Sequence, residues 1–197
     1  ACKDCDAKRV SYRNSHRILS FMIENIIVRR AEAEDIDGLA DFAARSFRDT
    51  FEADNDVRNV DDYLRSSLTT TSLRDGFNDA SNVFLIALQE GEDVPVGYAT
   101  LCSKSHDPSI NGQNTIEIER IYADKRVIGC GVGAALMRAC LNVAEDLGCE
   151  AIWLGVWEKN ERAIRFYERW KFTPVGVRQF ALGSELQDDL VMSRKLK

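Results

Sequence analysis

Residues 121–137 read IYADKRVIGCGVGAALM: a β-branched and aromatic run, a turn punctuated by glycines, then apolar residues at helical spacing. That order predicts a strand leading through a tight loop into the start of a helix, with Val132, Leu136, Ala139, Val143 and Leu147 as the buried stripe and Gly148 as the stop. A helix start is an anion site. About four backbone N–H groups there lack a partner within the helix, and the dipole adds roughly half a positive charge. Gly129, Gly131 and Gly133 leave room for a pyrophosphate to approach the backbone.

Two nucleotide-site readings fit poorly. A Rossmann loop follows the first strand and has an acidic residue about 20 positions later. Here the loop lies past mid-chain, and the next strand, Ala151 to Val156, runs into Trp157 before the first acidic residue, Glu158. A Walker loop needs a lysine followed by Ser or Thr after the glycines, and none is present.

Two further blocks add weight. Residues 157–172, WEKNERAIRFYERWKF, read as a helix beginning near Asn160, with Ala163, Ile164, Phe166, Tyr167 and Trp170 turned to the core. Residues 180–196, FALGSELQDDLVMSRKL, read as closing strands. Together the three blocks resemble the GNAT N-acetyltransferases. The loop matches Gln/Arg-x-x-Gly-x-Gly/Ala at Gly131 and Gly133, with Ile128 in the polar position. The second block matches Asn-x-x-Ala-x-x-Phe-Tyr-x-x-x-Gly-Phe except for Lys171 in place of glycine, and the third is similar to PaiA-like spermidine/spermine acetyltransferases.

The resemblance implies the α/β (α+β) GNAT acyl-CoA N-acyltransferase fold, a central mixed, mostly antiparallel sheet with splayed parallel strands flanked by helices. It implies acetyl-CoA as co-substrate and no metal. The strands are expected to part after Tyr122, exposing backbone at Ile121, Tyr122 and Ala123 to the pantetheine arm. Loop residues Ile128, Gly129, Cys130, Gly131, Val132, Gly133 and Ala134 would hold the pyrophosphate, mainly through amides. Asn160, Ala163 and Tyr167 would flank the arm.

Chemistry requires a proton to leave the amine and one to reach the departing thiolate. The resemblance assigns Glu119 as base and Tyr167 as acid; strand alternation puts Glu117 on the same face as Glu119. Direct transfer in a ternary complex needs no acyl-cysteine at Cys130. The expected acceptor is a small-molecule amine, a polyamine such as spermidine or spermine leading. The acidic run Asp54 to Asp62 and the residues Glu185, Asp188 and Asp189 are the expected groove carboxylates. Two other readings stand beside this one: a protein or peptide N-terminal acetyltransferase, and a catalytically silent CoA-binding sensor, which Ile128 favours.

Composition agrees with one enzyme-sized domain. The chain has 197 residues, 45% of them hydrophobic, and a net charge of −6, enough for a core and no electrostatic footprint for nucleic acid. No apolar run approaches the ~20 residues of a membrane span, so a soluble cytoplasmic protein is expected, with a homodimer as its assembly. Residues 1–21 are expected to be a flexible extension before a single domain over residues 22–197, with Met22 as a natural start. Cys2-x-x-Cys5 has no second pair at metal spacing, and His16 and His106 stand alone. The other four cysteines, Cys102, Cys130, Cys140 and Cys149, fall inside strand, loop and helix patterns and are expected to be reduced thiols.

Elsewhere the pattern predicts strands over Asn25 to Arg30, Val83 to Gln89, Pro95 to Cys102 and Thr115 to Ala123. Helices are expected over Ala33 to Thr50, Val60 to Ser67 and Ser72 to Asn78.

Overall fold

The computed structural model describes residues 21–23 and 25–196. Cys2, Cys5, His16 and nearly all of the expected extension lie outside them. The chain order is β1 (Phe21–Ile23), β2 (Ile26–Arg30), a 3-10 turn (Ala33–Asp35), α1 (Ile36–Phe51), α2 (Val57–Ser67), α3 (Thr70–Asn78), β3 (Asn82–Gln89), β4 (Pro95–Cys102), β5 (Thr115–Ala123). A second 3-10 turn (Lys125–Val127) then precedes α4 (Val132–Asp146), β6 (Ala151–Trp157), α5 (Glu161–Arg169), β7 (Thr173–Leu182) and β8 (Glu185–Lys195). The strands form one sheet in the order β1-β2-β3-β4-β5-β6-β8-β7. Among the described strands only β5 and β6 run parallel.

Local chemistry sets the boundaries. Strand β2 starts one residue later than the pattern predicts, because Asn25 takes φ 73 in the turn that joins it to β1. The first helix opens with a 3-10 turn because Glu32 and Asp35 cap one another reciprocally. Asp56 caps α2 by accepting from the Arg58 amide, and Thr69 with Ser72 forms a capping box on α3, so both start earlier than their apolar stripes. Helix α4 ends as expected: Gly148 takes φ 69, and the Cys149 amide donates to the Ala144 carbonyl at 2.9 Å.

Both sheet faces are covered. In β3, Val83, Leu85 and Ala87 join the core under α4, with Ala135, Leu136 and Met137; Phe84, Ile86 and Leu88 join a second core under α1 to α3, with Ile36, Leu39, Phe42 and Phe47. The strand therefore reads as an unbroken apolar run rather than an alternation. Among the described residues no helix is long and apolar enough to cross a membrane. Cys102, Cys130 and Cys140 are free thiols.

The parallel pair is short, and this positions the site. Pairing runs Thr115 to Ala151, Ile116 to Ile152 and Glu117 to Trp153, and there it stops. The strands part directly after Glu117, five residues before the expected Tyr122, although β5 continues to Ala123 and β6 to Trp157.

Candidate active site

The gap between β5 and β6 opens into a cavity of about 490 Å³. One end is the glycine loop, where Ile128, Gly129, Gly131, Gly133 and Ala134 line the wall. Gly129 and Gly131 both take φ 87, a conformation that side chains rarely adopt, and Gly131 is the residue from which α4 starts. The first helical bond runs from the Ala135 amide to the Gly131 carbonyl, so the amides of Val132, Gly133 and Ala134 precede it and are not consumed by the helix. The loop thus fits a pyrophosphate. Two expected members stand apart: Cys130 is exposed, its amide donates to the Val127 carbonyl at 3.1 Å, and Val132 is buried in the core beneath α4; neither side chain lines the cavity.

The middle of the cavity is the splay itself. Ile121, Tyr122 and Ala123 line it from β5, Val156 and Trp157 from β6, and Asn160, Ala163, Phe166 and Tyr167 from α5. Beyond Glu117, β5 has no strand partner on its β6 side, and its free backbone groups there suit an extended amide-bearing arm. Asn160 caps α5, its Oδ1 accepting from the Ala163 amide at 3.1 Å. Its side-chain NH2 has no hydrogen-bond partner among the described residues. Tyr167 is buried against Phe166 and Phe172, and burial pushes its phenol well above the ordinary tyrosine range, so it holds its proton.

The far end is enclosed by α1, α2, β7 and β8. Phe47 stacks on Tyr63 at 4.4 Å, Tyr63 meets Phe180 at 5.4 Å, and Phe51 meets Trp157 at 6.0 Å, giving a continuous aromatic wall. Asn59 ties α2 to the β7–β8 turn by accepting from the Ser184 amide and hydroxyl, each at 3.0 Å.

Glu119 sits in this region for a reason that alternation misses. Thr100 on β4 pairs with Arg120 while Leu101 pairs with Ile118, so Glu119 is the extra residue of a β-bulge. Its carboxylate lies 3.8 Å from Arg120, and burial raises its pKa above the ordinary value, with Arg120 opposing. Glu117 does not line the cavity. It is buried and bound to Arg178 at 2.8 Å.

The acidic run Asp54 to Asp62, which extends into α2, does not line the main cavity; Asp54 lines a smaller pocket beside it with Thr50, Trp157 and Asn160. Asp56 is spent on Arg58, Asp61 on Arg48 and Asp62 on Arg65, and none of them lines the main cavity. Of the three late candidates, Glu185 and Asp188 are likewise outside it, and only Asp189 faces in. Asp189 is 8% exposed, and burial raises its carboxyl to about 6.

A parallel pair that parts over a helix start rich in free amides, with a proton-holding tyrosine in the gap, defines a CoA-dependent acyltransferase. Residues 41–172 match the acetyltransferase (GNAT) family model, and the chain belongs to that family. It is an acetyl-CoA-dependent N-acetyltransferase. It is 33% identical over 163 residues to an uncharacterised N-acetyltransferase of Mycobacterium bovis, covering 82% of this chain and 98% of the relative. A shorter match, 31% over 84 residues and 42% of this chain, covers 54% of the spermine/spermidine N(1)-acetyltransferase of Bacillus subtilis. The fold is similar to that of the PaiA N-acetyltransferase of Thermoplasma acidophilum solved with coenzyme A, with a TM-score of 0.68 at 18% identity over 86% of this chain and 98% of that one.

Proposed function

We propose that the chain acetylates a primary amine of a small molecule by direct attack in a ternary complex, with a polyamine such as spermidine or spermine as acceptor. The reading is carried by the placement of Glu119 and Tyr167 on one cavity whose opposite end is the amide-lined loop. Acetyl-CoA supplies a thioester carbonyl open to attack by an amine. Glu119, raised by burial, takes the proton the ammonium must lose, directly or through water. Tyr167, which keeps its proton, donates to the departing thiolate.

Three observations support a cationic acceptor: the carboxylates of Glu119 and Asp189, the ring wall of Phe47, Tyr63 and Phe180, whose faces attract cations, and the partial match to the Bacillus enzyme. The test is CoA release by purified protein with acetyl-CoA and a panel of polyamines, aminoglycosides, amino acids and peptides. Turnover highest with polyamines is the expected result. Turnover highest with peptides would replace the acceptor, and none with any amine would sink the catalytic reading in favour of a silent sensor.

A further inference from the structure

Three carboxylates cluster near the far end of the cavity, and they differ in how they are partnered. Glu117 is matched by Arg178 at 2.8 Å, and Glu119 faces Arg120 at 3.8 Å. Asp189 is the third carboxylate, more than nine-tenths buried and lining the cavity, with no hydrogen-bond or ion-pair partner at contact distance among the described residues. Its neighbour Asp188 is instead engaged by the Gln179 amide. A buried carboxylate without a partner is costly, and such a group in a cavity wall invites a cation from the ligand.

Asp189 and Glu119 reach the cavity from different strands, β8 and β5. Asp189 pairs with Trp157 at the end of β6 and with Arg178 on β7, while Glu119 projects from the β5 bulge.

We propose that Asp189 is a specificity-determining residue that receives a second cationic group of the acceptor, away from the amine that Glu119 deprotonates. The assignment rests on the acetyltransferase reading and deepens it. It means that acceptors with two cationic groups are preferred to monoamines of equal length, and that the preference is expressed chiefly in KM.

The experiment compares hexamethylenediamine with hexylamine in steady-state acetylation. Wild-type protein is expected to favour the diamine, and Asp189→Asn to lower the ratio of the two kcat/KM values about 10- to 100-fold, mainly by raising KM for the diamine. An unchanged ratio overturns the assignment. Calorimetric binding of both amines to CoA-loaded wild-type protein needs neither turnover nor a variant. Equal affinities there also overturn it. Selective diamine binding without acetylation of any amine would instead leave Asp189 in place and overturn the acetyltransferase reading.

Discussion

Arg178 crosses the sheet face over Gly155 to hold Glu117, its Nη1 2.8 Å from a carboxylate oxygen. Gly155 permits the crossing: a Cβ there would fall 2.5 Å from the guanidinium. The guanidinium also lies over Trp153, 5.5 Å from the ring centroid. Replacing Arg178 by Met strands a buried carboxylate and is expected to cost about 3 kcal/mol, read from urea unfolding at neutral pH. Adding Glu117→Gln should recover most of that loss. Independent, additive effects would show that the two residues are not coupled.

For Glu119, pH provides the handle. The active form of a base is the deprotonated one, so kcat/KM should rise with pH through a pKa that burial places above the ordinary glutamate value. Glu119→Gln should remove that acidic limb and lower the rate about 100-fold. A limb that survives the substitution with a monoamine acceptor, which does not use Asp189, excludes Glu119. Glu117, held by Arg178 outside the cavity, would then be a poor substitute, and a water relay the better one.

Tyr167→Phe keeps the ring contacts with Phe166 and Phe172 and deletes only the phenolic proton. The expected result is kcat lowered about 100-fold with acetyl-CoA binding nearly unchanged. Equal losses in binding and turnover would mark the residue as packing, and an unchanged kcat would remove it from the chemistry.

Much of this arrangement is legible in the chain because it is local. The β4 and β5 spans, the glycine loop and the Asn160 cap each follow from a short run of residues. What the sequence hides depends on pairing between distant segments. The bulge at Glu119 exists only in register with β4, and the end of the parallel ladder at Glu117 depends on how β6 leaves β5. Arg178 finds Glu117 from sixty-one positions away by number, through a glycine whose reason appears only in three dimensions. In the Asp54 to Asp62 run, arginines satisfy Asp56, Asp61 and Asp62, which the acidic pattern does not show, whereas Asp189, one acid among several near the end of the chain, is singled out by burial alone.

Lys171 occupies a glycine position of the family pattern, and it takes φ 68 at the end of α5. Its Cβ is strained there, by about 1 kcal/mol. Lys171→Gly is expected to stabilise the protein by about 0.5 kcal/mol, part of the relief being offset by the greater backbone freedom of glycine in the unfolded chain. Thermal unfolding is the measurement. A lower melting temperature would mean that the lysine makes contacts worth more than the strain.

Asp189 links binding to stability with a defined sign. In the unfolded chain its carboxyl titrates near 3.8, and in the fold at about 6, because burial disfavours the charge. Below both values each state is protonated and the fold bears no cost. Between them the unfolded chain loses its proton first, so stability falls as pH rises, and above about 6 the loss is complete. The shift corresponds to at most about 3 kcal/mol at neutral pH. Asp189→Asn should therefore be more stable than wild type at neutral pH, with the gain shrinking toward zero below the unfolded-state value. The same substitution is expected to weaken the diamine preference, as when a binding group is kept at the expense of stability. Urea midpoints for both proteins across that pH range decide the matter, and a pH-independent difference between them would show that the buried charge is not its source.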